Sequence, residues 1–242
     1  MADCAIKDGI HTLVATPHTL NGSYDNPLDH IITHVTYLKT IFQAKQIPTD
    51  ICPGAEVRIH QDLGQLIKEG KIASINNTGQ YILVEFPYNM MLSGTKEVLF
   101  QLSLSGITPV LAHPERNTEL QRNPDILSDL EAMGCLVQLT AMSITGELGN
   151  DAMEYSHFLL RNRQVHVIAT DSHDAESRPP ILSSAVEATA HILGDPEAAE
   201  AMVTKNPRAI LDGKPLTLPE PGKTSEKQGR WGRWFGRVTG DQ

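Results

Sequence analysis

Six ligand-type residues in this chain stand at the ends of short apolar runs, and that placement restricts the fold more than any other feature. His18 follows Leu13-Val14-Ala15-Thr16-Pro17, Glu56 ends Gly54-Ala55-Glu56, and Glu85 ends Ile82-Leu83-Val84-Glu85. His113 follows Val110-Leu111-Ala112, while Asp171 and His173 follow Val167-Ile168-Ala169-Thr170. An apolar strand seldom finishes in His, Glu or Asp by accident, because burying such a group is costly unless it is paired or bound to metal. Parallel α/β barrels gather their active-site groups at the C-terminal ends of their strands. Six such groups converging at one mouth would make a mixed imidazole and carboxylate site, suited to Zn²⁺, Mn²⁺ or Fe²⁺ rather than Mg²⁺ alone.

The intervening sequence fits this arrangement. Apolar, β-rich runs predict strands over residues 12–15, 51–57, 81–86, 109–112, 136–139 and 165–169. Between them, helical stretches are predicted over 28–44, 95–104, 124–133, 151–161, 182–193 and 197–203, with a short terminal helix over 206–211. Strand–helix alternation predicts a parallel sheet, and repeated this often it suggests a barrel. The 242 residues suffice for one such domain, expected over residues 1–213. From Lys214 the chain turns to Pro215, Pro219, Pro221 and Gly222 and then to a polar, basic stretch, so 214–242 is expected to be a disordered tail. Its Trp231, Trp234 and Phe235, interleaved with Arg230, Arg233 and Arg237, suit an anionic membrane surface or a partner such as a membrane-anchored kinase. A disordered tail with a few adhesive side chains fits equally, since Gly229, Gly232, Gly236 and Gly240 weaken any helix there.

Composition narrows the function classes. A formal net charge of -9 argues against general nucleic-acid binding, which needs a basic face. Cys4, Cys52 and Cys135 are too few and too scattered for a disulfide framework or a structural zinc site, which points to a reducing, cytoplasmic setting. No apolar run is long enough to span a bilayer, and Asp3, Lys7 and Asp8 interrupt any signal-peptide core. Among the remaining histidines, His30 and His34 have helical spacing but no acidic partner, and His166 and His191 read as structural.

Five segments, in order, resemble the successive motifs of the PHP (polymerase and histidinol phosphatase) superfamily. They are Ala15-Thr16-Pro17-His18, Gly54-Ala55-Glu56-Val57-Arg58, Val84-Glu85-Phe86-Pro87, Ala112-His113-Pro114-Glu115-Arg116-Asn117 and Thr170-Asp171-Ser172-His173. The resemblance runs from about His11 to Leu211 and is most specific in His113-Pro114-Glu115-Arg116-Asn117 and Arg178-Pro179. It is closest to the superfamily's bacterial protein-tyrosine phosphatases of capsule and exopolysaccharide biosynthesis. It implies a distorted (β/α)7-type barrel holding two or three divalent metals, usually Mn²⁺, with Fe²⁺ or Zn²⁺ as alternatives. His18, Glu56, Glu85, His113, Asp171 and His173 would be metal ligands, and Arg116 and Arg178 would grip phosphate as catalytic and substrate-binding residues. The implied reaction is attack on phosphorus by a water that the metals activate. The implied substrate is a tyrosine-phosphorylated protein, with a bacterial tyrosine kinase controlling polysaccharide export as partner. A PHP phosphatase of a small metabolite such as histidinol phosphate is the enzymatic alternative, and an inactive phosphoprotein-binding relative is the non-enzymatic one.

The family's first strand normally carries a His-x-His pair followed shortly by an Asp. Here residues 1–9 read as the end of the first helix, so the expectation is a barrel without that strand, whose natural start lies upstream.

One competing pattern needs an answer. Cys52-Pro53-Gly54-Ala55-Glu56-Val57-Arg58 satisfies the C-x5-R spacing of cysteine-dependent tyrosine phosphatases. Those loops bind phosphate through backbone N–H groups and a thiolate at a helix N-terminus. Glu56 inside the loop would repel phosphate, and the segment reads as a strand end, so the cysteine mechanism is not expected.

Overall fold

Apolar runs buried on both faces need hydrogen-bonded neighbours on both edges, which a curved parallel sheet flanked by helices supplies. In a computed structural model, which describes residues 1–216, the runs become β1 (Thr12–Ala15), β2 (His18–Thr19), β3 (Asp50–Pro53), β4 (Glu56–Arg58), β5 (Tyr81–Glu85), β6 (Thr108–Ala112), β7 (Leu136–Thr140) and β8 (Val167–Ala169). Every pairing is parallel: β1 with β3, and β2-β4-β5-β6-β7-β8 in chain order. The aromatic and basic stretch around Trp231, with the disorder expected of it, lies outside the described residues.

Two strand positions are kinked, which divides the strand predicted over 51–57 and creates the unforeseen β2. Pro53 has no N–H to give the ladder, and Pro17 interrupts the neighbouring strand at the same level. The kinks nest closely: a Cβ on Gly54 would lie 3.2 Å from both Val14 Cγ1 and Thr16 Cγ2. Beyond the kink, Glu56 N donates to Pro17 O at 3.1 Å and pairing resumes with His18 opposite Glu56. The kink thus sets two candidate ligands side by side.

The helices are α1 (Ala2–Lys7), α2 (Leu28–Ala44), α3 (Leu63–Lys68), α4 (Thr95–Leu104), α5 (Thr118–Arg122), α6 (Asp125–Ala132), α7 (Ala141–Thr145), α8 (Asn150–Arg161), α9 (Ser183–Leu193), α10 (Pro196–Ala201) and α11 (Lys205–Leu211). The longer ones match the predicted stretches because periodic apolar residues, such as Ile31, Val35, Leu38 and Phe42 of α2, mark the buried side. α3, α5 and α7 were not predicted; each is too short to show a period.

Side chains alternate between two apolar clusters. Ile82 and Val84 of β5, Leu111 of β6 and Val137 and Leu139 of β7 face the helices. Tyr81 and Leu83, Val110 and Ala112, Leu136 and Val167 face inward, where Ile75 and the α11 residues Ile210 and Leu211 fill the barrel floor. Tyr81 also donates through its hydroxyl to Lys214 O at 2.7 Å.

The outer edges of β1 and β8 pair with no other described strand. Between them opens a cavity of about 760 Å³, lined by Val14 and Ala15 on one side, Val167 and Ala169 on the other, and His18, Glu56, Asp171 and His173 at one end. The two flanks are tied by Asp8, at the end of α1, which caps α9: its carboxylate accepts from Leu182 N at 2.6 Å, Ser183 N at 3.1 Å and Ser183 Oγ at 2.5 Å. Among the described residues, no helix is long and apolar enough to cross a membrane.

Candidate functional site

The inward parity of the strands carries Glu56 and Glu85 to the mouth: Glu85 continues the series Tyr81, Leu83, and Glu56 precedes the outward Val57. His113 follows the inward Ala112 and would point outward in an extended strand. Its left-handed backbone (φ 34°) turns it back, and Asp171 after β8 is turned the same way (φ 48°). Such conformations cost energy in non-glycine residues and gather at functional sites.

The eight predicted site residues fall into two touching groups. His18, Glu56 and Glu85 each present one ligand atom, and these atoms lie within 4.8 Å of one another. His18 Nδ1 is 3.8 Å from Glu56 Oε1 and 3.7 Å from Glu85 Oε2. His113 joins through Glu56, Nε2 to Oε1 at 2.8 Å. In the second group, Arg116 Nη1 reaches Asp171 Oδ2 at 2.9 Å, and Arg178 Nη2 contacts the same oxygen. His173 Nδ1 lies 3.0 Å from Asp171 O, and Arg178 Nη1 is 3.3 Å from His173 Nε2. The rings of His18 and His173, 6.3 Å apart, join the two groups.

The electrostatics of the first group suit a cation. Burial alone would raise the Glu56 carboxyl, but the hydrogen bond and charge of His113, with His18 and Arg116, draw its pKa below the usual value. Burial disfavours a charged His113, yet the Glu56 hydrogen bond and the charges of Glu56 and Glu115 lift its pKa above that of ordinary imidazole. His18 Nδ1 is buried without a hydrogen-bond partner, and Glu85 Oε2, 3.7 Å away, is held by an ion pair with Arg58. A buried donor or acceptor left unmatched costs about 1–3 kcal/mol, and the imidazole nitrogen faces the carboxylates of Glu56 and Glu85. A divalent ion there would satisfy that nitrogen and take the place of the proton shared by Glu56 and His113, so the residues fit a metal.

The second group shows how an anion would be received. Two guanidiniums converge on one carboxylate oxygen, so an oxyanion at that point would meet both.

Three neighbours of the site had no role assigned from sequence. Arg58 Nη2 pairs with Glu85 Oε2 at 3.1 Å. Glu115 is fully buried, its Oε1 accepting from Thr140 N at 3.1 Å and Ser143 Oγ at 2.7 Å, and burial pushes its carboxyl pKa up. Asn117 caps α5, accepting from Glu119 N at 3.0 Å and Leu120 N at 2.9 Å while donating to Pro87 O at 2.7 Å. Glu115 and Asn117 thereby brace Arg116 from both sides. All three lie within the motifs quoted above, and the motif was the available signal.

The readings of His166, His30, His34 and Cys52 agree with the structure. His166 is buried, its Nδ1 accepting from Val137 N at 3.0 Å, and burial lowers its pKa to about 4, so it is a neutral structural residue. His34 Nδ1 is 2.7 Å from His30 O on the exposed side of α2. Cys52 is buried in β3 rather than at a helix N-terminus, and burial with the Asp50 charge raises its thiol pKa, the reverse of an activated thiolate.

Comparison with known proteins gives the site a family. A family model described as "Capsular polysaccharide synthesis, CpsB/CapC" matches residues 1–212. Tyrosine-protein phosphatase YwqE of Bacillus subtilis (strain 168) is 34% identical over 178 residues, which cover 74% of this chain and 70% of that protein. Tyrosine-protein phosphatase CpsB of Streptococcus pneumoniae is 30% identical over 212 residues, covering 85% and 86%. The fold matches, at a TM-score of 0.86 and 31% identity, a chain from the crystal structures of YwqE and CpsB, described as "unique metal-dependent tyrosine phosphatases"; the match covers 91% of this chain and 88% of that one. The ordered motifs, the parallel barrel and the cluster at its mouth therefore have one common source: this chain belongs to the CpsB/CapC family of capsular polysaccharide synthesis.

Proposed function

We propose that the chain is a metal-dependent phosphomonoesterase that hydrolyses phosphotyrosine in proteins, its target a bacterial tyrosine kinase that regulates capsular or exopolysaccharide synthesis. The observation that carries this reading is the pairing of two unlike groups at one mouth: a cation-seeking cluster of His18, Glu56 and Glu85 beside two convergent arginines. The names of its relatives supply the substrate class.

In this reading His18, Glu56, Glu85, His113, Asp171 and His173 hold two or three divalent ions, Mn²⁺ first, with Fe²⁺ or Zn²⁺ as alternatives. When bound, such ions supply Lewis-acid activation of water and neutralise charge on the phosphoryl group. The rest belongs to the chain's own side chains. Arg116 and Arg178 exchange Asp171 for phosphoryl oxygens and stabilise the charge that grows on them during displacement. Glu115 and Asn117 hold Arg116 so that it meets the substrate already oriented. Residues 1–213 form the catalytic domain in a cytoplasmic protein.

The test is hydrolysis of a phosphotyrosine peptide with added Mn²⁺, with and without a chelator. Turnover that the chelator abolishes is the expected result. Turnover indifferent to the chelator, or confined to small phosphate esters such as histidinol phosphate, would overturn the reading.

A further inference from the structure

We infer that Tyr24 is a specificity-determining residue: its ring is a wall that receives the phenyl ring of phosphotyrosine, selecting aryl over alkyl phosphomonoesters. The inference rests on the phosphotyrosine reading above and concerns the part of the substrate that the metals and arginines do not touch.

Tyr24 lies in the loop between β2 and α2, and the loop is built to hold it. Asn21 Oδ1 accepts from Ser23 N at 3.0 Å and from Tyr24 N at 2.8 Å, a turn in which a side chain stands in for backbone. The fully buried Thr19 accepts from Asn26 N at 3.2 Å, and Asn26 Nδ2 donates to His18 O at 2.8 Å. The loop is therefore fastened to the strand end that carries His18.

On that turn the Tyr24 ring is 60% exposed, yet it stands 6.3 Å from the His18 ring at an interplanar angle of 22°. A solitary exposed tyrosine is ordinary; Tyr37, 63% exposed on α2, is such a residue. Tyr24 differs in being anchored by its own turn and aligned with a residue of the candidate metal cluster.

The chemistry of the substrate explains the fit. In an aryl phosphate one oxygen separates phosphorus from the ring, so a phosphoryl group at the arginines and metals places the ring at the rim of the mouth. A flat aromatic face there gains from an aryl group and gains little from the methylene of phosphoserine or phosphothreonine. Aromatic pairs add enough beyond simple burial to change affinity by about three- to tenfold.

The test uses two non-hydrolysable probes that share a headgroup, benzylphosphonate, whose methylene takes the place of the bridging oxygen, and methylphosphonate, titrated by calorimetry into the full chain loaded with Mn²⁺. Wild type is expected to bind benzylphosphonate more tightly. Tyr24→Ala should weaken benzylphosphonate about three- to tenfold and leave methylphosphonate unchanged, Tyr24→Phe should keep the preference, and Tyr37→Ala should match wild type. Equal weakening of both probes in Tyr24→Ala would show that Tyr24 acts on His18 instead, and no weakening of either would also overturn the inference. Wild-type binding of methylphosphonate without preference for the benzyl form sinks the inference alone. Failure of wild type to bind either probe removes the phosphatase reading with it.

Discussion

His113 and Glu56 share a hydrogen bond of 2.8 Å across the mouth of the barrel, joining the residue after β6 to the first residue of β4. Each holds the other in its charged form, and a divalent ion needs the glutamate as an anion but the histidine without its extra proton. Glu56→Gln keeps the size and removes the charge. Bound Mn²⁺ per chain, read by elemental analysis, should drop, and turnover of a phosphotyrosine peptide should fall by about 100-fold or more. An unchanged far-ultraviolet circular dichroism spectrum would assign the loss to the site rather than to the fold.

Arg116 and Arg178 meet on one oxygen of Asp171, so removing either leaves half of an anion clamp. Arg178→Ala should raise KM for a phosphotyrosine peptide about 10- to 100-fold and weaken inhibition by inorganic phosphate in step. Arg178→Lys should recover little, because an ammonium lacks the planar pair of donors. Full recovery in the lysine variant would reduce the role of Arg178 to simple charge.

Cys52 tests the C-x5-R alternative. Its buried, raised thiol predicts that Cys52→Ser leaves turnover within about twofold of wild type, since removal of a true nucleophile costs several orders of magnitude. A collapse of turnover in a folded Cys52→Ser protein would restore the thiol to the mechanism.

His166 gives the protein a pH dependence unrelated to catalysis. Its pKa is about 4 in the folded chain against 6.5 for the free side chain, so folding excludes its proton. The stabilisation is complete above about pH 6.5 and declines as pH falls toward 4, with about 3 kcal/mol at stake across that window. Urea midpoints should therefore fall between pH 7 and pH 5. The fall should be smaller in His166→Asn, whose side-chain oxygen can accept from Val137 N. A His166 proton resonance titrating near 6.5 would contradict the assignment.

Much of this was legible in the sequence because it depends on period and position. The strands β5, β6 and β7 were read within a residue or two, since continuous apolar runs buried on both faces leave little choice. Glu85 ends β5 as its apolar run implies, whereas Glu56 opens β4, because the run that it seems to end in the sequence is broken at Pro53. What escaped the sequence depends on chain crossings. The two-residue β2 follows a crossing at which Gly54 nests against Val14 and Thr16, and no local propensity reports that. The ion pair of Arg58 with Glu85 and the enclosure of Glu115 by Thr140 and Ser143 join segments that come together only in three dimensions. Nothing local in the sequence separates Tyr24 from any other loop tyrosine.

The cap that Asp8 places on α9 has a kinetic consequence. It joins Leu182 to a residue 174 positions earlier, among the longest loops this chain closes. Contacts of such span are entropically slow to form, so this one belongs to the late part of folding. Arg178 lies just ahead of the capped helix start, whereas Glu56 and Glu85 sit on strands, and His113 directly after one, that need only their neighbours. The carboxylates and imidazole that attract cations can thus be in place while Arg178, one arm of the phosphate clamp, still waits for the two ends of the barrel to meet.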